Sequence, residues 1–153
     1  MLNIGDKAPD FSLVSDSGKK ASLKDFRGQN LVLYFYPKAD TPGCTVEANQ
    51  FRDASKELTK AKTNVVGVSA DPPEALRKFR DKYQLNFPLL SDPDHKMLEA
   101  YGVWQEKNMY GKKSMGIVRT TYIIGPEGKI THVFPRVKVD GHTQQVLEAV
   151  KKR

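Results

Sequence analysis

The chain has a single cysteine, Cys44, among its 153 residues, so no disulfide can close within it. The Cys-x-x-Cys pair of a thiol–disulfide oxidoreductase is absent, which argues against that activity. His95, His132 and His142 are the only histidines; they show no metal-ligand spacing, and no second thiol could join them, so a metal site is not expected. No apolar run approaches the ~20 residues that cross a bilayer. The start "MLNIGDKAPDF" lacks the basic cap and apolar stretch of a secretory signal, so a cytoplasmic protein away from membranes is the expectation. Linkers, repeats and low-complexity tracts are missing as well, so residues 1–153 are read as one domain, large enough for a core without covalent staples.

What is present is an ordinary globular composition, 39% hydrophobic and 28% charged, with a net charge of +7. The charge is uneven: residues 105–153 carry ten Lys/Arg against four Asp/Glu. A basic half raises nucleic acid or another polyanion as a partner. The cations are scattered and have no interleaved aromatic platform, so a solvated surface is preferred.

Hydrophobic pattern suggests the following order. "FSLVSDSGKKASL" reads as an N-terminal hairpin about the turn Asp16–Lys19. "LVLYFY" (31–36) and "NVVGVSA" (64–70) are continuous apolar runs of strand length, as buried strands require. A helix is predicted from about 43 to 61, with Phe51, Ala54, Leu58 and Ala61 in one stripe. Asp71-Pro72-Pro73-Glu74 starts a second helix, with Asp71 as its cap, ending near Tyr83. "FPLLSD" is a short strand, and Asp92-Pro93 caps a helix through Tyr101. "GIVRTTYIIG" and "KITHVFP" flank the turn Pro126-Glu127-Gly128 as a hairpin, and "HTQQVLEAVKKR" closes with a helix. Alternating strands and helices followed by an antiparallel hairpin imply an α/β fold, a central mixed β-sheet flanked by helices. A thioredoxin-like fold fits that order.

Cys44 lies in "PKADTPGCTVEAN", directly after Thr41-Pro42-Gly43 and seven residues before Phe51, on the predicted core stripe. A buried small hydrophobe is one reading of it. The other follows from its place in a first helical turn, where unpaired amides and the helix dipole favour a thiolate, the reactive form. Gly43 clears space before the sulfur, and Thr41 supplies a hydroxyl to bond the sulfur or an attacking substrate oxygen. Local physics alone leaves the two readings level.

"YPKADTPGCTVEA" resembles the active-site loop of the peroxiredoxins, Pro-x-x-x-Thr-x-x-Cys. "GDKAPDFSL", "FPLLSDPD" and "YGVWQEKNMYGKKSMGIVRTTYIIGPEGKI" are similar to the bacterioferritin comigratory protein, or Q-type, branch, so the likeness covers nearly the whole chain. The resemblance implies a thiol peroxidase acting on hydrogen peroxide and organic hydroperoxides without a cofactor. It implies that Cys44 is the peroxidatic cysteine, oxidised to sulfenic acid. Thr41 then steers the peroxide, Pro37 shields the pocket, and Arg119 holds the thiolate and the leaving oxygen. Backbone amides of Gly43 and Cys44 complete the pocket. Glu47, one turn after Cys44 on the same face, resembles a polar residue that orders the site, provided a cation such as Arg119 pairs it. Tyr36 and Trp104 are read as core rather than pocket.

The branch often carries a resolving cysteine five residues after the first, where this chain has Asn49, or in the next helix, where Arg80 stands. With neither present, a one-cysteine enzyme is implied, resolved by an external thiol such as thioredoxin, glutaredoxin or a small thiol. An i, i+5 disulfide would require the helix to unwind, and Asn49 removes that demand, so the helix is expected to stay formed through the cycle. Two other readings stay open: a peroxide sensor or relay that hands oxidation to a partner protein, and a basic polyanion-binding module with a structural Cys44. The family includes monomers and dimers.

Overall fold

The computed structural model describes residues 1–151, with Met109 described through its backbone alone. Nine strands and five α-helices follow one another among these residues, with a short 3-10 turn at Leu23–Phe26. They are β1 (Ser12–Val14), β2 (Lys20–Ser22), β3 (Asn30–Phe35), α1 (Pro42–Asp53), α2 (Ser55–Lys60), β4 (Thr63–Ser69), α3 (Pro73–Tyr83) and β5 (Leu89–Ser91). There follow α4 (Lys96–Ala100), β6 (Trp104–Met109), β7 (Lys112–Ile117), β8 (Thr120–Ile124), β9 (Ile130–Phe134) and α5 (His142–Lys151). Five strands form the central sheet in the order β5-β4-β3-β8-β9. β3, β4 and β5 run parallel, and β8 and β9 join antiparallel, so the sheet is mixed as expected. β1 and β2 pair as the expected N-terminal hairpin.

Every residue of β3 is buried, which explains its uninterrupted apolar sequence. Alternate side chains serve opposite faces. Leu31, Leu33 and Phe35 meet Met97 and Leu98 of α4 with Ile117, Tyr122 and the N-terminal Phe11. Val32 and Tyr34, with Tyr36 just beyond the strand, meet Ala48 and Phe51 of α1, Leu58 of α2, Leu76 and Phe79 of α3, and Val146, Leu147 and Val150 of α5. Cys44 belongs to this second layer.

The structure corrects the expected elements in four places. The single helix over 43–61 is divided at Ala54, whose ψ of 4° breaks the helical path between α1 and α2. Contacts on the two sides of the break go to different partners: Arg52 Nη1 donates to the Tyr83 carbonyl (2.6 Å), and Ser55 Oγ accepts from Asn86 Nδ2 (3.1 Å). Asp71 does not cap α3, where Pro72 takes the cap position. Its carboxylate instead accepts the Ala39 amide and the Ser69 hydroxyl, both at 2.8 Å, which ties the loop after β3 to the end of β4. α4 starts later than expected, with His95 at its cap; Asp92 accepts the Leu98 amide (2.9 Å) from outside the helix. "GIVRTTYIIG" is two strands, interrupted at Val118 and Arg119, and β7 turns back on β6 instead of running into β8. That β6–β7 hairpin closes through Tyr110 and Gly111, both at positive φ (53° and 79°), the two-residue turn whose twist suits a hairpin. The closing helix is as expected through Lys151; Lys152 and Arg153 of that expectation lie outside the described residues.

Candidate active site

β3 delivers the chain to the site. After Tyr36, whose amide bonds Val68 O (3.1 Å), Pro37 leaves the sheet half-buried and a short loop leads to α1. The loop is pinned at both sides. Ala39 is held by Asp71, and Asp40, at φ 59°, accepts from Lys82 Nζ (2.9 Å) and the Tyr83 hydroxyl (2.8 Å) of α3. Those bonds hold the Asp40 carboxyl below the usual carboxylate range.

Thr41 is the residue before α1, yet its side chain does not cap the helix. Its hydroxyl donates to Lys38 O (2.7 Å), which leaves the oxygen lone pairs free to accept. Pro42 has no N–H, so the uncapped donors of the first turn are the amides of Gly43 and Cys44. The helix dipole adds partial positive charge at the same place. Cys44 is a free thiol and is 1% exposed.

Arg119 comes from the break between β7 and β8, far off in sequence. Its Nη2 donates to Cys44 Sγ (3.3 Å) and its Nη1 to Glu47 Oε1 (2.6 Å). The guanidinium can approach because residue 43 is glycine: a Cβ there would lie 3.2 Å from Nη2. Glu47 is fully buried one turn after Cys44, and its Oε2 has no hydrogen-bond partner in the structure. Burial pushes its carboxyl up to about 7, with the Arg119 charge and hydrogen bond pulling the other way. The condition set for Glu47, a paired cation, is met by Arg119.

The arrangement therefore joins a sulfur, two unpaired helix amides, a hydroxyl acceptor and a guanidinium already oriented by a carboxylate. Such a set suits a thiolate nucleophile and negative charge developing on a leaving oxygen. A model of the AhpC/TSA family matches residues 4–133 of this chain.

The chain belongs to the AhpC/TSA family.

Within the peroxiredoxins it is similar to the bacterioferritin comigratory proteins throughout its length. The putative peroxiredoxin bcp of Coxiella burnetii is 51% identical over 146 residues, covering 95% of this chain and 97% of that one. Peroxiredoxin Bcp of Escherichia coli K12 is 49% identical over 150 residues, 98% of this chain and 96% of its own. A Cys-to-Ser mutant of Xylella fastidiosa PrxQ superposes with a TM-score of 0.94 at 36% identity, over 99% of this chain and 97% of that one. Xanthomonas campestris bacterioferritin comigratory protein, solved as trapped intermediate and ligand complexes in a study of its alkyl peroxide reduction, superposes with a TM-score of 0.89 at 40% identity, over 93% of this chain and 90% of that one. This peroxiredoxin is thus a thioredoxin-like thiol peroxidase with one cysteine, acting on a peroxide with a thiol as reductant.

Other residues singled out in the sequence fall elsewhere. Tyr36 is wholly buried and Trp104 stacks on His95, with ring centroids 3.8 Å apart. Arg80 donates to Asp16 Oδ2 (2.9 Å), and Asn49 has a buried, unpartnered Oδ1 on α1. No group of three or more His, Cys, Asp or Glu able to hold a metal occurs among the described residues. No helix among them is long and apolar enough to cross a membrane. One residue near the sulfur escaped the sequence reading: Lys107 of β6, half-buried and within electrostatic reach of Cys44 and Arg119. No sequence signal marked it, because its approach depends on the β6–β7 register.

Proposed function

We propose that Cys44 carries the peroxidase chemistry, and that the Arg119 guanidinium, bonded at once to Cys44 Sγ and Glu47, is the observation that supports this most directly. The Cys44 thiolate attacks the terminal oxygen of RO–OH; the S–O bond forms as the O–O bond breaks. Cys44 is left as sulfenic acid, and the departing RO⁻ takes a proton to become ROH. Thr41 accepts the hydrogen bond of the peroxide O–H, the role its lone pairs are free to fill. Arg119 with the Gly43 and Cys44 amides receives the charge on the departing oxygen. Glu47 orients Arg119, and Pro37 limits water at the loop.

An outside thiol then attacks the sulfenic sulfur, expelling hydroxide as water and leaving a mixed disulfide. A second thiol exchanges with it and returns Cys44. Asn49 and Arg80 stand where a resolving cysteine is found in the branch. Cys-to-Ser mutants of Xanthomonas campestris peroxiredoxin Q have been solved at two positions, whose separation along the chain equals that of Cys44 and Arg80. The reductant is a thioredoxin, a glutaredoxin or a small thiol. The chain acts as a single domain over 1–153, as a monomer or weak dimer in the cytoplasm, without nucleic acid or membrane as partner.

The test is intact mass of the reduced protein after one equivalent of hydrogen peroxide, with a sulfenic-acid trap. A gain of about 16 Da that the trap captures, absent in Cys44→Ser, is the expected result. No change over minutes would overturn the assignment of Cys44.

A further inference from the structure

Gly116 sits within β7 at a backbone conformation open to any residue, so no turn requires glycine there. The space its missing Cβ leaves is filled by Lys107. A Cβ at 116 would fall 3.1 Å from Lys107 Cδ, 3.4 Å from Cε and 3.7 Å from Nζ. In the β6–β7 register Lys107 lies opposite Ser114, and Gly116 opposite Gln105. The lysine side chain therefore runs diagonally across the ladder toward the Trp104–Ile117 end of the hairpin. That end continues through Val118 directly into Arg119, the residue bonded to Cys44.

The charges around this ammonium are unequal. Arg119 is shared between Cys44 and Glu47. Lys107 forms no ion pair among the described residues, although its neighbour Glu106 pairs with Lys113 at 3.8 Å. Partial burial and the Arg119 charge hold the lysine below its usual range, and the acidic group acting in the opposite direction is Cys44. Glycine at 116 thus admits a second cation within electrostatic reach of the sulfur, and no carboxylate pairs with it among the described residues.

We propose that Lys107 is a positioning residue of this active site, whose uncompensated ammonium, threaded past Gly116, draws anionic reactants to the Cys44 sulfur. The class it selects is small carboxylate-bearing molecules, whether hydroperoxides or thiols. The inference rests on Cys44 being the reacting thiol.

Two matched pairs of probes test it. On the reduced protein, iodoacetate and iodoacetamide alkylate the same sulfur, forming S–C as C–I breaks and iodide leaves; they differ in charge. On the sulfenic form, 3-mercaptopropionate and 2-mercaptoethanol form the mixed disulfide and release water, again differing in charge. In Lys107→Met the anionic-to-neutral rate ratio should fall about three- to tenfold in both pairs, while Lys107→Arg retains it. Gly116→Val, which keeps the lysine but takes its path, should give an intermediate loss. Added salt should narrow the wild-type ratio toward that of Lys107→Met. Should Lys107→Met fail to fold, Lys107→Gln carries the same comparison. Ratios unchanged in the folded Met or Gln variant would overturn the assignment. The alkylation pair reads Lys107 without peroxide, so absence of a trappable sulfenic acid in the wild type would sink the peroxidase role of Cys44 and leave the lysine separately tested.

Discussion

Glu47 Oε1 lies 2.6 Å from Arg119 Nη1, the one hydrogen bond the buried carboxyl makes among the described residues, its other oxygen being unpartnered there. The pair aims the second nitrogen of the guanidinium at Cys44 Sγ, 3.3 Å away. Arg119 therefore acts on the sulfur from an orientation set one helical turn further along α1.

Loss of that nitrogen should be felt in the first chemical step. Arg119→Met is expected to slow sulfenic acid formation by about 10²-fold, the cost of one aimed donor at a developing charge. Arg119→Lys should recover only part, since an ammonium cannot bridge Glu47 and the sulfur with a planar fork. Stopped-flow fluorescence with hydrogen peroxide measures both; equal rates in all three proteins would remove Arg119 from the mechanism.

Glu47 makes stability depend on pH with a defined sign. Its carboxyl is raised from 4.5 to about 7 in the folded chain, first by burial. Between those values the unfolded chain gives up the proton while the folded chain keeps it, so stability falls as pH rises through the window. The full change is about 3 kcal/mol. Urea unfolding at pH 4.5 and pH 7.5 should show it in the wild type and not in Glu47→Gln. A parallel pH dependence in the two proteins would show that Glu47 does not titrate this way.

Gly43→Ala tests the approach of the guanidinium without altering any charge. The new Cβ would meet Arg119 Nη2 at 3.2 Å, a tight contact that the guanidinium relieves by moving a few tenths of an ångström, so the donor should be displaced from the sulfur. Peroxide reactivity is expected to drop about tenfold with the melting temperature nearly unchanged. Full activity in the alanine variant would mean that Arg119 has room to spare.

Arg80 fixes the N-terminal hairpin to α3 through Asp16, which is buried and whose second oxygen accepts the Leu89 amide (2.9 Å). Arg80→Met should cost about 1–3 kcal/mol, because it strands a buried carboxylate while a third of the arginine itself was already exposed. A double-mutant cycle with Asp16→Asn should recover most of that loss. Additive effects would show that the two side chains do not depend on one another.

The parts of this fold that were legible in the sequence are those whose physics is local. β3 and β4 announce themselves as apolar runs because both faces of each are covered, and the β8–β9 turn is marked by Pro126 and Gly128. The β6–β7 hairpin has Gly111 at its turn but no apolar run to flank it: "WQEKNMYGKKSMGI" is polar on both sides because the hairpin stands outside the main sheet with little core to face. The place of Lys107 was equally hidden, since only the register opposite Ser114 lets its side chain lie across Gly116. The break at Ala54 is invisible for another reason; the apolar stripe runs on through it, and only the separate partners of Arg52 and Ser55 divide the helix. At the site, the sulfur, the hydroxyl and the guanidinium were found by family resemblance. Local chemistry left Cys44 undecided between reactive and structural, and no spacing rule could join residues 44 and 119.

Cys44 is 1% exposed, and that single value treats the two halves of the cycle unequally. A peroxide is small enough to enter by a narrow breach, whereas a reductant must bring its own sulfur within bonding distance of a nearly sealed atom. A small thiol can follow the peroxide's path with α1 unbroken, whereas a protein reductant would need the turn Pro42–Cys44 to give way. Under saturating peroxide, turnover should then be paced by how easily the reductant's sulfur reaches that atom: indifferent to peroxide and slower as the thiol grows bulkier.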